Sequence, residues 1–162
     1  MENLLSIGLG EMQISADPDT VMVCFGLGSC IGISFYDPVK KVGGMAHIVL
    51  PDSVMAREQD SPTKYANTCI PYMLAEMEKK GAVVNRIIVK IAGGAQVLQV
   101  SGIKNRLDIG NRNIEAVRES LKIAGLLVKG DDVGGNFGRT MQFFIRTGKN
   151  VIKMVGKGEK EI

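Results

Sequence analysis

Cys30 and His47 are the two residues of this sequence whose types and surroundings suggest covalent chemistry. Cys30 ends the turn GLGSC, which joins two apolar segments, and His47 is the only histidine in the chain. A thiolate attacks carbonyl carbon, and an imidazole can form an ion pair with it and later protonate the leaving group. Gly26 and Gly28 carry no Cβ, so a substrate can approach the backbone N–H groups near Ser29, which then hold an oxyanion. The pattern indicates acyl transfer by a cysteine.

A purely structural role for these residues stays open at this stage. Free cysteines are among the most buried residue types and usually pack in a core, as does a single histidine in an apolar strand. Cys24 lies between Val23 and Phe25 in an apolar segment, and its spacing from Cys30 is not the C-x-x-C of redox motifs. Residue types and spacing alone therefore do not distinguish chemistry from packing.

The composition limits the classes of function. The chain has 162 residues, a net charge of +3 and three cysteines. Its basic residues are interspersed with acidic ones, which argues against a nucleic-acid or membrane surface. No segment approaches the roughly 20 apolar residues of a membrane-spanning helix, and the N-terminus does not resemble a signal peptide. An odd number of cysteines and a single histidine favour a cytoplasmic protein with reduced thiols and no metal site or cofactor.

Strands on both sides of the GLGSC turn are predicted to position Cys30 and His47. The connections between these strands are short, so neighbouring strands should be antiparallel. Cys30 begins one strand and His47 lies late in the next, which brings both side chains to one end of the sheet. Apolar and β-branched runs predict these strands at 4–14, 20–25, 30–36 and 42–50.

The remaining pattern predicts two helices inserted among further strands. A helix capped by Ser61 should run to about Lys80, and Asn111 or Asn113 should cap a second helix. The order of elements predicts a single domain over residues 1–162, an α+β or layered α/β sandwich with mostly antiparallel strands. The other predicted elements are strands at 83–92, 96–100, 126–128, 139–146 and 151–155 and a loop at 130–138.

Six segments of the chain resemble, in the same order, the CheD family of chemoreceptor glutamine deamidases. Several separate motifs in register are far more specific than any one of them, and the similarity covers roughly residues 5 to 155. The segments are GLGSC (26–30), MAHIVLPDS (45–53), KYAN (64–67), KIAGGAQV (90–97), IGNRNIEAV (109–117) and DDVGGNFGRT (131–140).

The resemblance implies both a fold and an activity. The implied fold is the CheD-like layered α/β sandwich, similar to the catalytic domain of cytotoxic necrotizing factor toxins. The implied activity is hydrolysis of glutamine side chains in methyl-accepting chemotaxis receptors, which yields glutamate and ammonia without a metal or cofactor. In the family pattern the nucleophile corresponds to Cys30, and the general base and acid corresponds to His47.

Cys24 stands where the family pattern has a threonine. A threonine hydroxyl accepts a hydrogen bond from the imidazole N–H, whereas a thiol is a weaker and longer acceptor. This departure predicts a deamidase that is active but slower than a Cys24→Thr variant. A backbone carbonyl can orient the imidazole of His47 in place of Cys24.

The resemblance also implies a second role, in which the protein binds and stimulates a CheC-type phosphatase of the response regulator CheY. We place the surface shared by that partner and the receptor near Gln96 and Leu98, without support from a motif. Two further activities of a reactive Cys30 stay open: transglutamination, in which an amine intercepts the thioester, and thiol redox chemistry.

Overall fold

Two five-stranded sheets and two α-helices make up the described part of the chain, which in this computed structural model is residues 1–96 and 108–162. The strands are β1 (Asn3–Ser6), β2 (Met12–Ser15), β3 (Thr20–Leu27), β4 (Ile31–Asp37), β5 (Val42–Ile48), β6 (Ile88–Gly93), β7 (Val128–Val133), β8 (Arg139–Phe144), β9 (Asn150–Met154) and β10 (Gly158–Glu161), and the helices are α1 (Ala66–Lys79) and α2 (Ile109–Ile123). The first sheet has the order β1-β3-β8-β9-β10 and the second β2-β5-β4-β6-β7. Neither described helix is long and apolar enough to span a bilayer.

The second sheet lies between the helices and the first sheet. Ile33 and Phe35 of β4 belong to the apolar core shared with both helices, whereas Tyr36 belongs to the core between the two sheets. Alternate side chains of a strand point to opposite faces, so a strand covered on both faces is buried throughout, as β4 and β5 are. Among the pairs of neighbouring strands in the described residues, only β1–β3 and β6–β7 are parallel. The predicted α+β fold with mostly antiparallel strands and two helices is confirmed.

β4 and β5 form the antiparallel pair that the sequence predicts. Their register places Gly32 opposite His47 and Asp37 opposite Val42. Cys30 directly precedes β4. Cys30 and His47 therefore lie at the same end of the second sheet, as expected.

The predicted strand at 4–14 is wrong, because this segment contains two strands that belong to different sheets. β1 pairs with β3 in the first sheet, and β2 pairs with β5 in the second. Between them the Gly8 N–H donates to the carboxylate of Glu11 at 2.6 Å, and Gly10 takes a φ of 72°. Glycine adopts such a left-handed φ without steric cost, so the chain turns here and passes from one sheet to the other.

The first helix begins later than predicted. Ser61 caps a short 3-10 turn, Pro62–Lys64, rather than the α-helix itself. Tyr65 is extended and forms an isolated bridge with Leu50, so α1 starts only at Ala66. Strand-like pairing at one residue thus overrides the helical signal of the Ser-Pro pair.

The second helix has a different cap from either predicted one. Asp108 is the N-cap of α2, and its side chain accepts a hydrogen bond from the backbone N–H of Asn111. Asn113 lies inside the helix and is fully buried, in phase with the core residues Val117 and Leu121. The asparagine that the sequence suggested as a cap is therefore a buried polar residue.

The later strands differ from the predictions in three places. The segment predicted as a strand at 83–92 starts with a 3-10 turn, so β6 begins at Ile88. The loop predicted at 130–138 contains most of β7, whose sequence VKGDDV is polar but pairs with β6. β10 was not predicted. The strand predicted at 96–100 lies outside the described residues, except for Gln96.

Candidate active site

The thiol turn is held by hydrogen bonds to three consecutive carbonyl groups. The carbonyl oxygens of residues 28, 29 and 30 accept, respectively, from the backbone N–H of Ala95 at 2.7 Å, Nδ2 of Asn113 at 2.9 Å and the backbone N–H of Gly94 at 2.9 Å. Gly93 has a φ of 110°, and a Cβ at this position would collide with the carbonyl oxygen of residue 30. The turn therefore presents its thiol from a fixed backbone.

The backbone N–H groups of Ser29 and Cys30 are available as donors on this turn. Neither donates a hydrogen bond to an atom of the described residues. Because the adjacent carbonyls are fixed, the directions of these N–H groups are fixed too, which is the property of a preorganised oxyanion site. Gly26 takes a left-handed φ of 58°, and its N–H contacts the Thr140 hydroxyl at 3.4 Å. Gly26 thus turns the chain toward the thiol.

The imidazole of His47 is buried and has a defined hydrogen-bond partner. Its Nδ1 lies 2.9 Å from the carbonyl oxygen of Ile7, and only 4% of the residue is exposed. A carbonyl oxygen only accepts, so Nδ1 carries the proton and Nε2 presents its lone pair. The backbone N–H of His47 donates to the Glu11 carbonyl, and its own carbonyl accepts from Gly10. Residues 7–11 therefore set the orientation and tautomer of the ring.

Cys30 and His47 lie on the same face of the second sheet. His47 is directly opposite Gly32, and residues two apart on a strand share a face, so Cys30 is a diagonal neighbour of His47. Cys30 also packs against the core between the sheets. A Cβ on Gly32 would lie 3.0 Å from Cδ1 of Leu27 and 3.1 Å from the sulfur of Met141, so glycine leaves room for these two side chains. Within the described residues, the ring is hydrogen-bonded to Ile7 and not to Cys30.

Burial favours the uncharged form of both groups. It raises the pKa of the Cys30 thiol above its usual value of 9.0. It lowers the pKa of His47 below 6.5, against the opposing effects of the Ile7 carbonyl and the charge of Glu11. Both shifts favour a resting thiol and neutral imidazole over the ion pair that the sequence suggested. This pair is suited to general-base chemistry, in which Nε2 accepts the thiol proton during attack.

Cys24 lies near the pair but does not bond to the imidazole. Its side chain is fully buried, and its sulfur lies 4.0 Å from the carbonyl oxygen of Ala46, to which the S–H donates weakly. Burial, with a smaller contribution from the charge of Cys30, raises the pKa of Cys24 to about 12, so this group stays a thiol. The imidazole N–H, from which a threonine hydroxyl at this position would accept a hydrogen bond, donates to the Ile7 carbonyl instead.

Gln96 belongs to the network behind the thiol turn. Its backbone N–H donates to the carbonyl of Gly135 at 2.8 Å, and the residue is partly buried. Leu98 lies outside the described residues. In residues 1–96 and 108–162 no group of three or more His, Cys, Asp and Glu side chains is arranged to hold a metal ion.

Arg139 supports the same network from the first sheet. Its buried guanidinium donates to the backbone carbonyl of Asp132 at the end of β7 and to those of Gly134 and Phe137 in the loop that follows. That loop in turn is hydrogen-bonded to the backbone of Gly93 and Gln96, which adjoin the residues that hold the thiol turn. A continuous set of hydrogen bonds thus runs from the Arg139 guanidinium through backbone groups to the turn that carries Cys30.

Three groups that organise the site were not found from the sequence. The carbonyl of Ile7 is a backbone group and leaves no sequence signal. Asn113 does leave one, because it shares the apolar line of α2 with Val117 and Leu121, and a buried amide needs a specific partner. The signal of Arg139 is similar, since it is a basic residue at the start of an apolar strand.

Comparison with known proteins gives a consistent set of similarities. A family model described as CheD chemotactic sensory transduction matches residues 49–154. A probable chemoreceptor glutamine deamidase CheD of Symbiobacterium thermophilum is 46% identical over 160 residues, which cover 98% of this chain and 97% of that protein. A protein of the same name from Clostridium botulinum strain Hall is 44% identical over 158 residues, with 98% and 97% covered.

The solved structures that are distantly similar include that of the hypothetical protein YfiH of Bacillus licheniformis, with a TM-score of 0.42 and 14% identity. The matched part covers 75% of this chain and 49% of that one. This degree of likeness supports no conclusion about either fold or function.

Proposed function

The chain belongs to the CheD family, and we propose that it is a chemoreceptor glutamine deamidase in which Cys30 is the nucleophile and His47 the general base and acid. The main support for these roles is the hydrogen bond from Nδ1–H of His47 to the Ile7 carbonyl, because it leaves Nε2 of the neutral ring free to accept a proton. The substrate class comes from relatives of that name, which share 44–46% identity over nearly the whole chain. We propose that residues 1–162 form one catalytic domain.

The first half of the reaction forms a thioester and releases ammonia. Nε2 of His47 accepts the proton of the Cys30 thiol while the sulfur attacks Cδ of the glutamine side chain, whose carbonyl oxygen becomes an oxyanion. The backbone N–H groups of Ser29 and Cys30 stabilise that charge. The imidazolium then donates its proton to the amide nitrogen, the C–N bond breaks, and ammonia leaves.

The second half of the reaction hydrolyses the thioester with the same groups. Neutral His47 removes a proton from water while the water oxygen attacks the thioester carbon. The C–S bond breaks, the imidazolium returns its proton to the sulfur of Cys30, and the product is a glutamate side chain. One water is consumed and one ammonia released, and no metal or cofactor takes part in this sequence of steps.

The neutral resting state has a consequence for the reactivity of the free enzyme. The thiolate is the form that oxidants and alkylating reagents attack, and burial raises the pKa of the Cys30 thiol. The proton leaves the sulfur when His47 accepts it as the sulfur attacks an electrophilic carbon. The resting thiol is therefore less reactive than a free thiolate would be.

Three finer assignments stay predictions. We place the protein in the cytoplasm, where reduced thiols persist. The family resemblance implies a CheC-type phosphatase as a second partner, with Gln96 and Leu98 in the shared surface. A Cys30→Ala variant that still stimulates such a phosphatase would separate binding from chemistry.

Mass spectrometry of receptor peptides tests the proposal directly. Receptor fragments incubated with the wild-type protein should gain the small mass of amide-to-acid conversion at selected glutamines, with release of ammonia. Cys30→Ala should abolish the gain, because the substitution removes the proposed nucleophile. Cys69→Ala is the matched control, since Cys69 is also a free cysteine but is buried in the core on α1.

Each outcome of this experiment has a definite meaning. Conversion by the wild type and by Cys69→Ala, but not by Cys30→Ala, supports the proposal. Equal conversion by Cys30→Ala would overturn the assignment of the nucleophile. Incorporation of an added amine in preference to hydrolysis would assign the protein to transglutamination instead.

A further inference from the structure

Asn113 joins the thiol turn to the end of the histidine strand, and we propose that it is a positioning residue for the pair Cys30 and His47. The inference rests on the proposed function, because it gives Asn113 the task of holding that pair at the separation that proton transfer and attack require.

A single side-chain amide bridges the two segments. Nδ2 of Asn113 donates one hydrogen to the carbonyl oxygen of Ser29 at 2.9 Å and the other to that of Val49 at 3.0 Å. Ser29 directly precedes Cys30, and Val49 follows His47 by two residues. The two N–H bonds of a primary amide lie in one plane at a fixed angle. This group therefore sets the distance between two backbone points next to the reacting side chains.

The bridge stands where the pairing of β4 and β5 stops. The last paired residues at this end are Ile31 and Ile48. Beyond them the chains diverge, since the N–H of Val49 donates to the Lys64 carbonyl rather than to the thiol turn. Without Asn113, no hydrogen bond between described residues would link the carbonyl of Ser29 to the segment after His47.

The amide itself is held in place by a rigid element. Asn113 is fully buried, and Val117 and Leu121 of the same face of α2 belong to the core between the helices and the second sheet. Removing one partner of such a buried hydrogen bond leaves the other polar group unsatisfied away from water, which is unfavourable. A packed helix and two satisfied donors therefore fix the position of the amide.

Asn113 acts from the side of the sheet opposite to the chemistry. It approaches from the helix layer, whereas His47 bonds to Ile7 and Cys30 packs against the core between the sheets. The amide can therefore fix the reacting pair without contacting substrate. This is why we assign it a positioning role and not a catalytic one.

Two substitutions at Asn113 and one matched control test the inference. Asn113→Ala removes both donors, and Asn113→Ser keeps one hydroxyl donor. Asn150→Ala is the control, because Asn150 is equally buried but lies on β9 of the other sheet and donates to the carbonyl of Gly148 in its own turn. All variants are assayed below their unfolding temperatures for receptor deamidation and for alkylation of Cys30 by iodoacetamide.

We expect a graded loss of deamidation. A displacement of reacting groups by about 1 Å costs roughly 100-fold in rate, so kcat should fall about 10- to 100-fold in Asn113→Ala, less in Asn113→Ser, and little in Asn150→Ala. KM should change little, because substrate contacts are kept. Replacing His47 with alanine should slow alkylation of Cys30 when Asn113 is present. It should slow it much less in the Asn113→Ala variant, because loss of the amide has already uncoupled the thiol from the imidazole.

The results that overturn the inference differ from those that overturn the function. Folded Asn113→Ala with wild-type kcat, or the full effect of His47→Ala retained in that background, overturns the positioning role. Failure of both Asn113 variants to fold also overturns it, in favour of a general structural role. Absence of deamidation by the wild type, with alkylation of Cys30 independent of His47, overturns the proposed function instead.

Discussion

The two ends of the β4–β5 pair bury polar groups in opposite ways. Asp37 closes one end and is fully buried, while the other end, roughly 20 Å along the strand, carries the thiol turn and His47. Both ends place ionisable groups where water does not reach them freely. The protein keeps one of these groups charged and the others neutral.

At the Asp37 end every oxygen of the carboxylate is satisfied. Arg86 donates to it from both Nε and a terminal nitrogen, and the backbone N–H groups of Val39, Lys40 and Val83 donate as well, at 2.9 to 3.2 Å. Burial alone would raise the pKa of Asp37, but these hydrogen bonds hold it well below its usual value of 3.8. This end is built for stability, with the charge fixed and fully paired.

At the thiol end the carbonyl groups of the turn accept hydrogen bonds, but its N–H groups next to the thiol have no partner among the described residues. The N–H groups of Ser29 and Cys30 donate to no described residue, and burial shifts the pKa of the thiol up and that of His47 down. The contrast teaches that burial by itself does not decide the charge of a group. Several hydrogen-bond donors directed at Asp37 favour its charged form, whereas burial without such donors favours the uncharged thiol of Cys30.

The largest expected effect among further variants is that of His47→Asn. The asparagine amide can still donate to the Ile7 carbonyl, but it has no basic nitrogen, so deamidation should fall about 10²- to 10⁴-fold with the fold intact.

In the wild type the pKa of His47 lies below 6.5, so kcat/KM should be level near neutral pH and decline only in acid, as the base becomes protonated. A pH–rate profile checks both statements, and unchanged activity in His47→Asn would contradict the role of the ring.

Asp37→Asn should break the other end of the pair and change stability rather than chemistry. The substitution removes charge-assisted hydrogen bonds from a pair whose Arg86 side chain is 33% exposed, which should cost about 1–3 kcal/mol. Urea unfolding measures this cost, and the deamidation rate per folded molecule should stay the same. The folded pKa is depressed, so the stabilisation is complete above about pH 4 and is lost as the pH falls through lower values. The difference between variant and wild type should therefore shrink in acid.

Asp131→Asn is the control for that measurement. Asp131 pairs with Arg118 at 2.8 Å, but both side chains are 43% exposed. Exposed pairs contribute about 0–1 kcal/mol. An equal loss in the two variants would show that burial of Asp37 is not what makes its pairing important.

The smallest expected effect is that of Cys24→Thr. A hydroxyl is a better acceptor than a thiol and should raise the rate, but the Ile7 carbonyl already holds the ring N–H. An orienting group has less influence on rate than the nucleophile or base, so we expect an increase of about two- to threefold. Ammonia release from a receptor fragment measures it, and an equal or lower rate would show that Cys24 has no part in orienting His47.

The elements of the site that depend on local pattern could be predicted from the sequence. The turn before Cys30, the strand that holds His47 and their antiparallel pairing follow from glycines, β-branched runs and a short connection. The helix starts could not, because Tyr65 pairs with Leu50 and Asp108 caps α2. Long-range partners compete with local signals, and the sequence does not show where those partners lie.

The sequence by itself determined the family, the layered α+β class and the two residues that stand at the centre of the proposed chemistry. Tertiary structure decided the tautomer of His47 and the hydrogen bonds that hold the two residues in place. The tautomer of His47 depends on the carbonyl of Ile7, and the bridge by Asn113 spans segments that lie 84 and 64 residues away along the chain. Backbone carbonyls are identical in every residue, so only folding determines which one meets a given side chain.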